Sequence, residues 1–203
     1  YTNIVEGNAL EIDWESVVPK DKLNYIIGNP PFVGHSLQNS SQKSEIKAIF
    51  VDENRKPYRL SGKIDYVAGW YFKASELMHG TDVRTAFVST NSITQGEQVS
   101  GIWKPLIERF GVKIDFAWRS FVWSNEASEK AKVHCVIIGF STNANVKEYA
   151  LFDNELVNIV SGINPYLVEG DNIFVESRRD ALFAKIPMYA GGKPTDGGNL
   201  ILT

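Results

Sequence analysis

The sequence predicts an α/β fold built on a mostly parallel sheet. Three observations carry that prediction. Short apolar runs that end in turn residues alternate with longer segments of helical spacing. The run "VHCVIIGF", residues 133–140, is too apolar for a strand with one face in water, so it belongs inside a sheet. The order strand, helix, strand, helix, strand, strand is that of crossover units, which are right-handed where they join parallel strands.

Each element has its own signal. Leu23–Gly28 is a short apolar run closed by a turn, which reads as a buried strand. Ile64–His79 has helical spacing, with Ile64, Val67, Ala68, Tyr71, Ala74 and Met78 on one side. Ser61 is placed to cap its start, and Gly80 to close its end in a left-handed conformation. Val83–Thr90 is again a strand. Thr94 and Glu97 then have capping-box spacing. Behind them Val99, Ile102, Trp103, Leu106, Ile107 and Phe110 follow the helical period until Gly111 stops it. Val112–Trp118 and Val133–Ser141 are two further strands. After Ser141 the pattern weakens: Ala144–Thr203 holds Asn-Pro, Gly-Gly and Gly-Lys-Pro turns and only short apolar runs. This gives a division into 1–143 and 144–203, the second part a linker leading into, or a fragment of, a second unit.

Bulk properties exclude several classes. The 203 residues are 43% hydrophobic and 22% charged, enough for one good core. No apolar run approaches the ~18 residues of a membrane helix. One cysteine, Cys135, permits no internal disulfide, and no secretory signal is visible, so the sequence reads as cytoplasmic. Cys135 sits mid-strand and reads as a small apolar residue. His35, His79 and His134 lack metal-ligand spacing. The formal charge of −3 gives no global pull toward nucleic acid. The segment Lys43–Lys63 carries six Lys/Arg against three Asp/Glu and reads as a solvated stretch.

In open α/β sheets, chemistry gathers beyond the carboxyl ends of the strands. Asn29-Pro30-Pro31-Phe32 lies at one such end, and Asn91-Ser92 at another. Each proline restricts the residue before it to extended conformations, so Asn29 and Pro30 present their oxygens in fixed directions. The Asn29 side-chain oxygen and the Pro30 carbonyl are two rigid acceptors, and Phe32 adds a flat apolar face. An exocyclic amine on a planar heterocycle fits that set. Its lone pair is delocalised into the ring, which makes it a poor nucleophile. Two acceptors holding its hydrogens favour the pyramidal form, which resembles the transition state for attack on a methyl group. Stacking on Phe32 would contribute roughly 1–3 kcal/mol. The plainer alternative is a proline turn with Phe32 in the core.

The tetrapeptide resembles motif IV of the S-adenosylmethionine-dependent DNA adenine-N6 methyltransferases. "EGNALEIDW" before it is similar to the motif III turn. "GKIDYVAGWYFKASELM", "TAFVSTNSITQGEQV" and "FVWSNEASEKAKVHCVIIGFS" resemble the motifs that follow, in the same order. With "INPYLVEGDN" and "GGNLIL", they most resemble the MmeI-like (type IIL) fused restriction–modification enzymes. The resemblance implies the C-terminal half of a Rossmann-like class I methyltransferase sheet, mostly parallel with an antiparallel hairpin strand, followed by an irregular C-terminal segment. It implies methyl transfer to the N6 amine of an adenine flipped out of double-stranded DNA.

By the same resemblance, Asn29 and Pro30 grip the amine, Pro31 stiffens the loop and Phe32 stacks on the base. Trp123, then Phe121, is the second aromatic closing over it. Asn8, where many relatives have Asp, binds the cofactor's adenine amino group, and Trp70 lies near that adenine. Asn91 and Ser92 line the cleft or cap a turn. The family's glycine-rich cofactor loop does not occur before Asn8, and the chain begins at a tyrosine. The expectation is therefore a fragment with an incomplete S-adenosylmethionine pocket, which binds the cofactor weakly or not at all. An unpaired sheet edge would invite self-association. Two other readings stand beside this one. Protein-glutamine methyltransferases share the related Asn-Pro-Pro-Tyr motif, and a non-catalytic DNA-recognition segment would need a basic face.

Overall fold

The structure, a computed structural model, describes residues 2–123, 133–143, 148–154 and 156–177. A single helical turn comes first, α1 (Trp14–Val17), where the Asp13 carboxylate accepts the Glu15 amide. Strand β1 (Tyr25–Gly28) leads through the tetrapeptide to α2 (Ser40–Ile49) and α3 (Ala68–Met78). Strand β2 (Arg84–Thr90) runs into a 3-10 turn, Asn91–Thr94. An interrupted helix follows: α4 (Gly96–Gln98), a π-helical turn Val99–Trp103, and α5 (Lys104–Phe110). Strands β3 (Lys113–Trp123), β4 (Val133–Ser141), β5 (Tyr149–Asp153) and β6 (Leu156–Val160) complete the order.

The six strands form one sheet in the order β1-β2-β4-β3-β5-β6. Pairs β1–β2 and β3–β5 are parallel. Pairs β2–β4, β3–β4 and β5–β6 are antiparallel, so the sheet is mixed. Strand β4 is the antiparallel insertion that the apolar run 133–140 supplies, and it is central as expected. Strand β1 differs from expectation. Among the described residues it has one neighbouring strand, β2, and Tyr25 and Ile27 are 67% and 81% exposed. Only its alternate residue Ile26 packs on the core.

The core lies between the sheet and α3 and α5. Tyr71 of α3 stacks on Phe140 of β4 at 5.0 Å between centroids and meets Phe87 and Trp103 edge-on. The buried Tyr71 hydroxyl is hydrogen-bonded to Ser89 at 2.9 Å, which removes the penalty of an unpaired polar group. Gly139 in β4 is required by its neighbour: a Cβ there would lie 2.0 Å from the Phe116 ring.

Helix termini separate two kinds of prediction. Gly80 and Gly111 are left-handed, with φ of +74° and +68°, as their positions predict. The side-chain caps differ. Thr94 does not form a box with Glu97, because its hydroxyl donates to the Asn91 carbonyl inside the 3-10 turn. Ser61 does not cap α3, which starts seven residues later at Ala68 without a side-chain cap. A reciprocal box does occur at α2, where Asn39 and Gln42 satisfy each other's backbone N–H groups. That helix is absent from the sequence reading because its apolar stripe is thin: Ile46 is its one buried residue. The six basic residues of Lys43–Lys63 are all exposed, as a solvated stretch requires. Strands β5 and β6 also extend the sheet into the segment read as irregular. No helix among the described residues is long and apolar enough to cross a membrane.

Candidate active site

Strands β1, β2 and β3 point the same way, since β1 is parallel to β2 and both β2 and β3 are antiparallel to β4. Their carboxyl ends therefore share one side of the sheet. The register fixes this side, with Thr90 opposite Cys135 and Cys135 opposite Phe121. Three segments gather there: the tetrapeptide after β1, the Asn91–Thr94 turn after β2, and the end of β3 with Phe121 and Trp123.

Asn29 is exposed and Pro30 is buried. Pro30 packs beside Gly28, whose Cβ position lies 3.2 Å from the Phe87 ring and 4.0 Å from Pro30 Cδ. Neither the Asn29 carboxamide nor the Pro30 carbonyl forms a hydrogen bond with another described residue. Both acceptors are thus unengaged by the described residues. Phe32 is half-buried and packs on no other described aromatic ring.

The loop beyond Phe32 is fastened from outside. The Val33 carbonyl accepts the Tyr66 amide at 2.9 Å. The His35 amide donates to Asp65 Oδ1 at 2.9 Å. Asp65 Oδ2 accepts the Ser92 hydroxyl at 2.5 Å. Ser92 has one proton and gives it to Asp65, so in the 2.8 Å Thr90–Ser92 contact Thr90 is the donor. Asn91 Nδ2 reaches Ser120 Oγ on β3 at 3.2 Å. Gln98 fixes the backbone beneath: its Oε1 accepts the Asp65 amide at 2.9 Å and its Nε2 donates to the Lys63 carbonyl at 2.8 Å. Asp65 and Gln98 are absent from the sequence reading. An acid heading an apolar helix looks like a cap, and nothing local reveals partners about thirty positions away.

Asn8 and Trp70 have separate partners in the structure. Asn8 Oδ1 accepts the Leu10 amide at 3.0 Å. Trp70 lies edge-on to Tyr66, 5.2 Å between centroids. The Tyr66 hydroxyl donates to the Glu45 carboxylate. That bond holds the Glu45 carboxyl below its usual range, with smaller contributions from Asn8 and Ser41. Burial, and then Glu45, push the Tyr66 hydroxyl well above its ordinary value. Trp70 thus reaches the Glu45 carboxylate through Tyr66, whereas the Asn8 side chain is bonded within its own turn.

At the end of β3, the Phe121 and Trp123 rings are tilted toward each other with centroids 6.3 Å apart. Trp123 is 42% exposed. The remainder of the "RSFVWSNEA" loop, residues 124–127, lies outside the described residues, as does "GGNLIL". Among the described residues, no group of three or more His, Cys, Asp or Glu could hold a metal ion. Cys135 is buried and its thiol is pushed up by desolvation.

The model of the MmeI DNA-methyltransferase domain matches residues 1–153. The chain belongs to that family. It is 40% identical over 201 residues to DNA methyltransferase A of Bacillus subtilis (strain 168), spanning 97% of this chain and 22% of that protein. It superposes on the type IIL restriction–modification enzyme MmeI, solved in complex with DNA, with a TM-score of 0.86 and 42% identity. That match covers 97% of this chain and 26% of the enzyme. The chain therefore spans about a quarter of the length of these relatives. The type IIG restriction endonuclease BpuSI shares the fold, at a TM-score of 0.51 and 20% identity over 70% of this chain and 16% of that one. These matches place the mixed sheet as a Rossmann-like methyltransferase sheet of the MmeI kind.

Proposed function

We propose that this chain carries the acceptor-binding half of an S-adenosylmethionine-dependent adenine-N6 methyltransferase, part of a restriction–modification enzyme acting on double-stranded DNA. One observation carries the reading: Asn29 and Pro30 hold two unengaged acceptors beside Phe32, at the carboxyl end of a strand in a DNA-methyltransferase domain.

The Asn29 carboxamide oxygen and the Pro30 carbonyl accept the two hydrogens of the target amine. This grip strengthens as the nitrogen becomes pyramidal, so it favours the transition state over the ground state. No general base is required before attack, because the proton leaves afterwards. Phe32 holds one face of the base, and Trp123, with Phe121 behind it, covers the other. These contacts offset the few kcal/mol that flipping a base from the duplex costs. S-adenosylmethionine, when bound, supplies an electrophilic methyl group. Asn8 and Trp70 fit its adenine: an amide for the polar edge and an indole, set edge-on to Tyr66, for the face. The family match favours a base over a protein glutamine as the acceptor.

The test uses the full-length protein with S-adenosylmethionine labelled in its methyl group and DNA free of adenine methylation. Label should appear in N6-methyldeoxyadenosine after digestion to nucleosides and be absent with Asn29→Ala. Label in protein instead of DNA would turn the reading toward a glutamine acceptor.

A further inference from the structure

Asp65 departs from what its position predicts. It stands just before α3, where an aspartate ordinarily turns back to cap the free N–H groups of its own helix. It does not do so here: α3 begins at Ala68, behind Val67, without any side-chain cap. Asp65 is 5% exposed, and both of its oxygens face outward from the helix to two other segments. One takes the His35 amide and the other the Ser92 hydroxyl. Its own amide is held by Gln98, so the carboxylate is aimed from behind. The His35 imidazole Nδ1 is a further 3.7 Å neighbour.

We infer that Asp65 is a positioning residue that latches the acceptor loop to the Asn91–Ser92 turn and so sets where Asn29 and Pro30 present their oxygens. The inference rests on the function proposed above. His35 lies three residues past Phe32, and Ser92 lies two past Thr90, the last residue of β2. Asn91, next to Ser92, is bonded to Ser120 on the strand that carries Phe121 and Trp123. One carboxylate thus couples the segments that hold the amine and the segment that closes over the base. An acceptor-only group suits the task, because both of its partners are donors. Asp65 touches no reacting atom in this scheme. Its effect is geometric, and a displacement near 1 Å at a reacting centre costs about 100-fold in rate.

Three variants of the full-length protein separate the latch from general support. Asp65→Ala frees both segments, Ser92→Ala frees one, and Asp65→Asn keeps an acceptor for His35 and a donor for Ser92. Methyl transfer to unmethylated DNA should fall about 100-fold in kcat for Asp65→Ala, about tenfold for Ser92→Ala, and least for Asp65→Asn. Affinity for S-adenosylhomocysteine should stay within about twofold, as titration calorimetry would show. Amide hydrogen exchange should quicken in Asp65→Ala at residues 33–35 and 91–92, while the β2–β4 ladder stays protected. That exchange result stands whether or not the protein methylates DNA, so the latch and the proposed reaction can fail separately. Unchanged exchange at those residues would overturn the inference. So would equal losses of kcat and cofactor affinity in all three variants. If Asp65→Ala does not fold, Ser92→Ala decides: a wild-type kcat in a folded variant overturns it.

Discussion

Two buried aspartates stand at opposite ends of the same sheet, and they are built differently. Asp65, at the carboxyl ends of β1 and β2, is 5% exposed and has a donor on each oxygen. Asp115, near the start of β3, is 7% exposed. It sits in the register shift between Ile114 and Phe116. Its Oδ1 accepts the Ser141 hydroxyl at 3.0 Å, but its Oδ2 has no hydrogen-bond partner among the described residues. Burial pushes the Asp115 carboxyl up, against smaller opposing effects of Ser141, Arg84 and Lys113. The difference shows what a buried charge is for. Where both oxygens are engaged, the charge ties separate segments into a site. Where one is not, the charge costs stability and ties its bulge only to the adjacent strand β4.

The largest expected effect breaks the well-made end. Asp65→Ala leaves the His35 amide and the Ser92 hydroxyl unpaired and should cost about 2–4 kcal/mol in urea unfolding. The opposite end should respond with opposite sign. Asp115→Asn replaces a half-paired charge with a neutral isostere and should stabilise the protein at neutral pH by about 1 kcal/mol. The pH dependence has a definite sign. A carboxyl raised in the folded state is protonated more readily there than in the unfolded chain. Its contribution to stability is full below the unfolded value and is lost as pH rises through the folded value. The gain from Asp115→Asn should therefore be absent in acid and fully developed at neutral pH, which urea midpoints across that range would show. Equal gains at all pH values would contradict this account of Asp115.

The smallest effect on stability belongs to the exposed aromatic at the functional end. Trp123→Ala should change unfolding by less than about 1 kcal/mol, because the side chain is 42% exposed at the end of its strand. It should nonetheless weaken methyl transfer to duplex DNA about tenfold or more, the value of one lost stacking face. A large stability loss with unchanged transfer would make Trp123 a packing residue.

Much of the fold is legible in the sequence because single residues announce it. Gly80 and Gly111 end helices by a conformation that other residues adopt at a cost. The apolar run of β4 marks a strand with sheet on both sides. The tetrapeptide lies where its sequence context places it, directly after the end of a strand. What the sequence hides is decided by long-range partners. Strand β1 has the composition of a buried strand, yet among the described residues it has one neighbouring strand, and burial depends on what lies beside it. The capping-box spacing at Thr94 loses to a 3-10 turn that takes its hydroxyl. Strands β5 and β6 are five residues each and gain order by pairing with the sheet. Asp65 is hidden for the same reason, since its meaning lies in His35 and Ser92.

The most direct test of the central claim is chemical. Full-length wild type and Asn29→Ala would each be expressed in a host without adenine methylation, and N6-methyladenine in the host DNA quantified by mass spectrometry. The account predicts the modified base with wild type and none with the variant. A folded wild-type protein that leaves the DNA unmodified, or an Asn29→Ala variant that modifies it equally well, would contradict it.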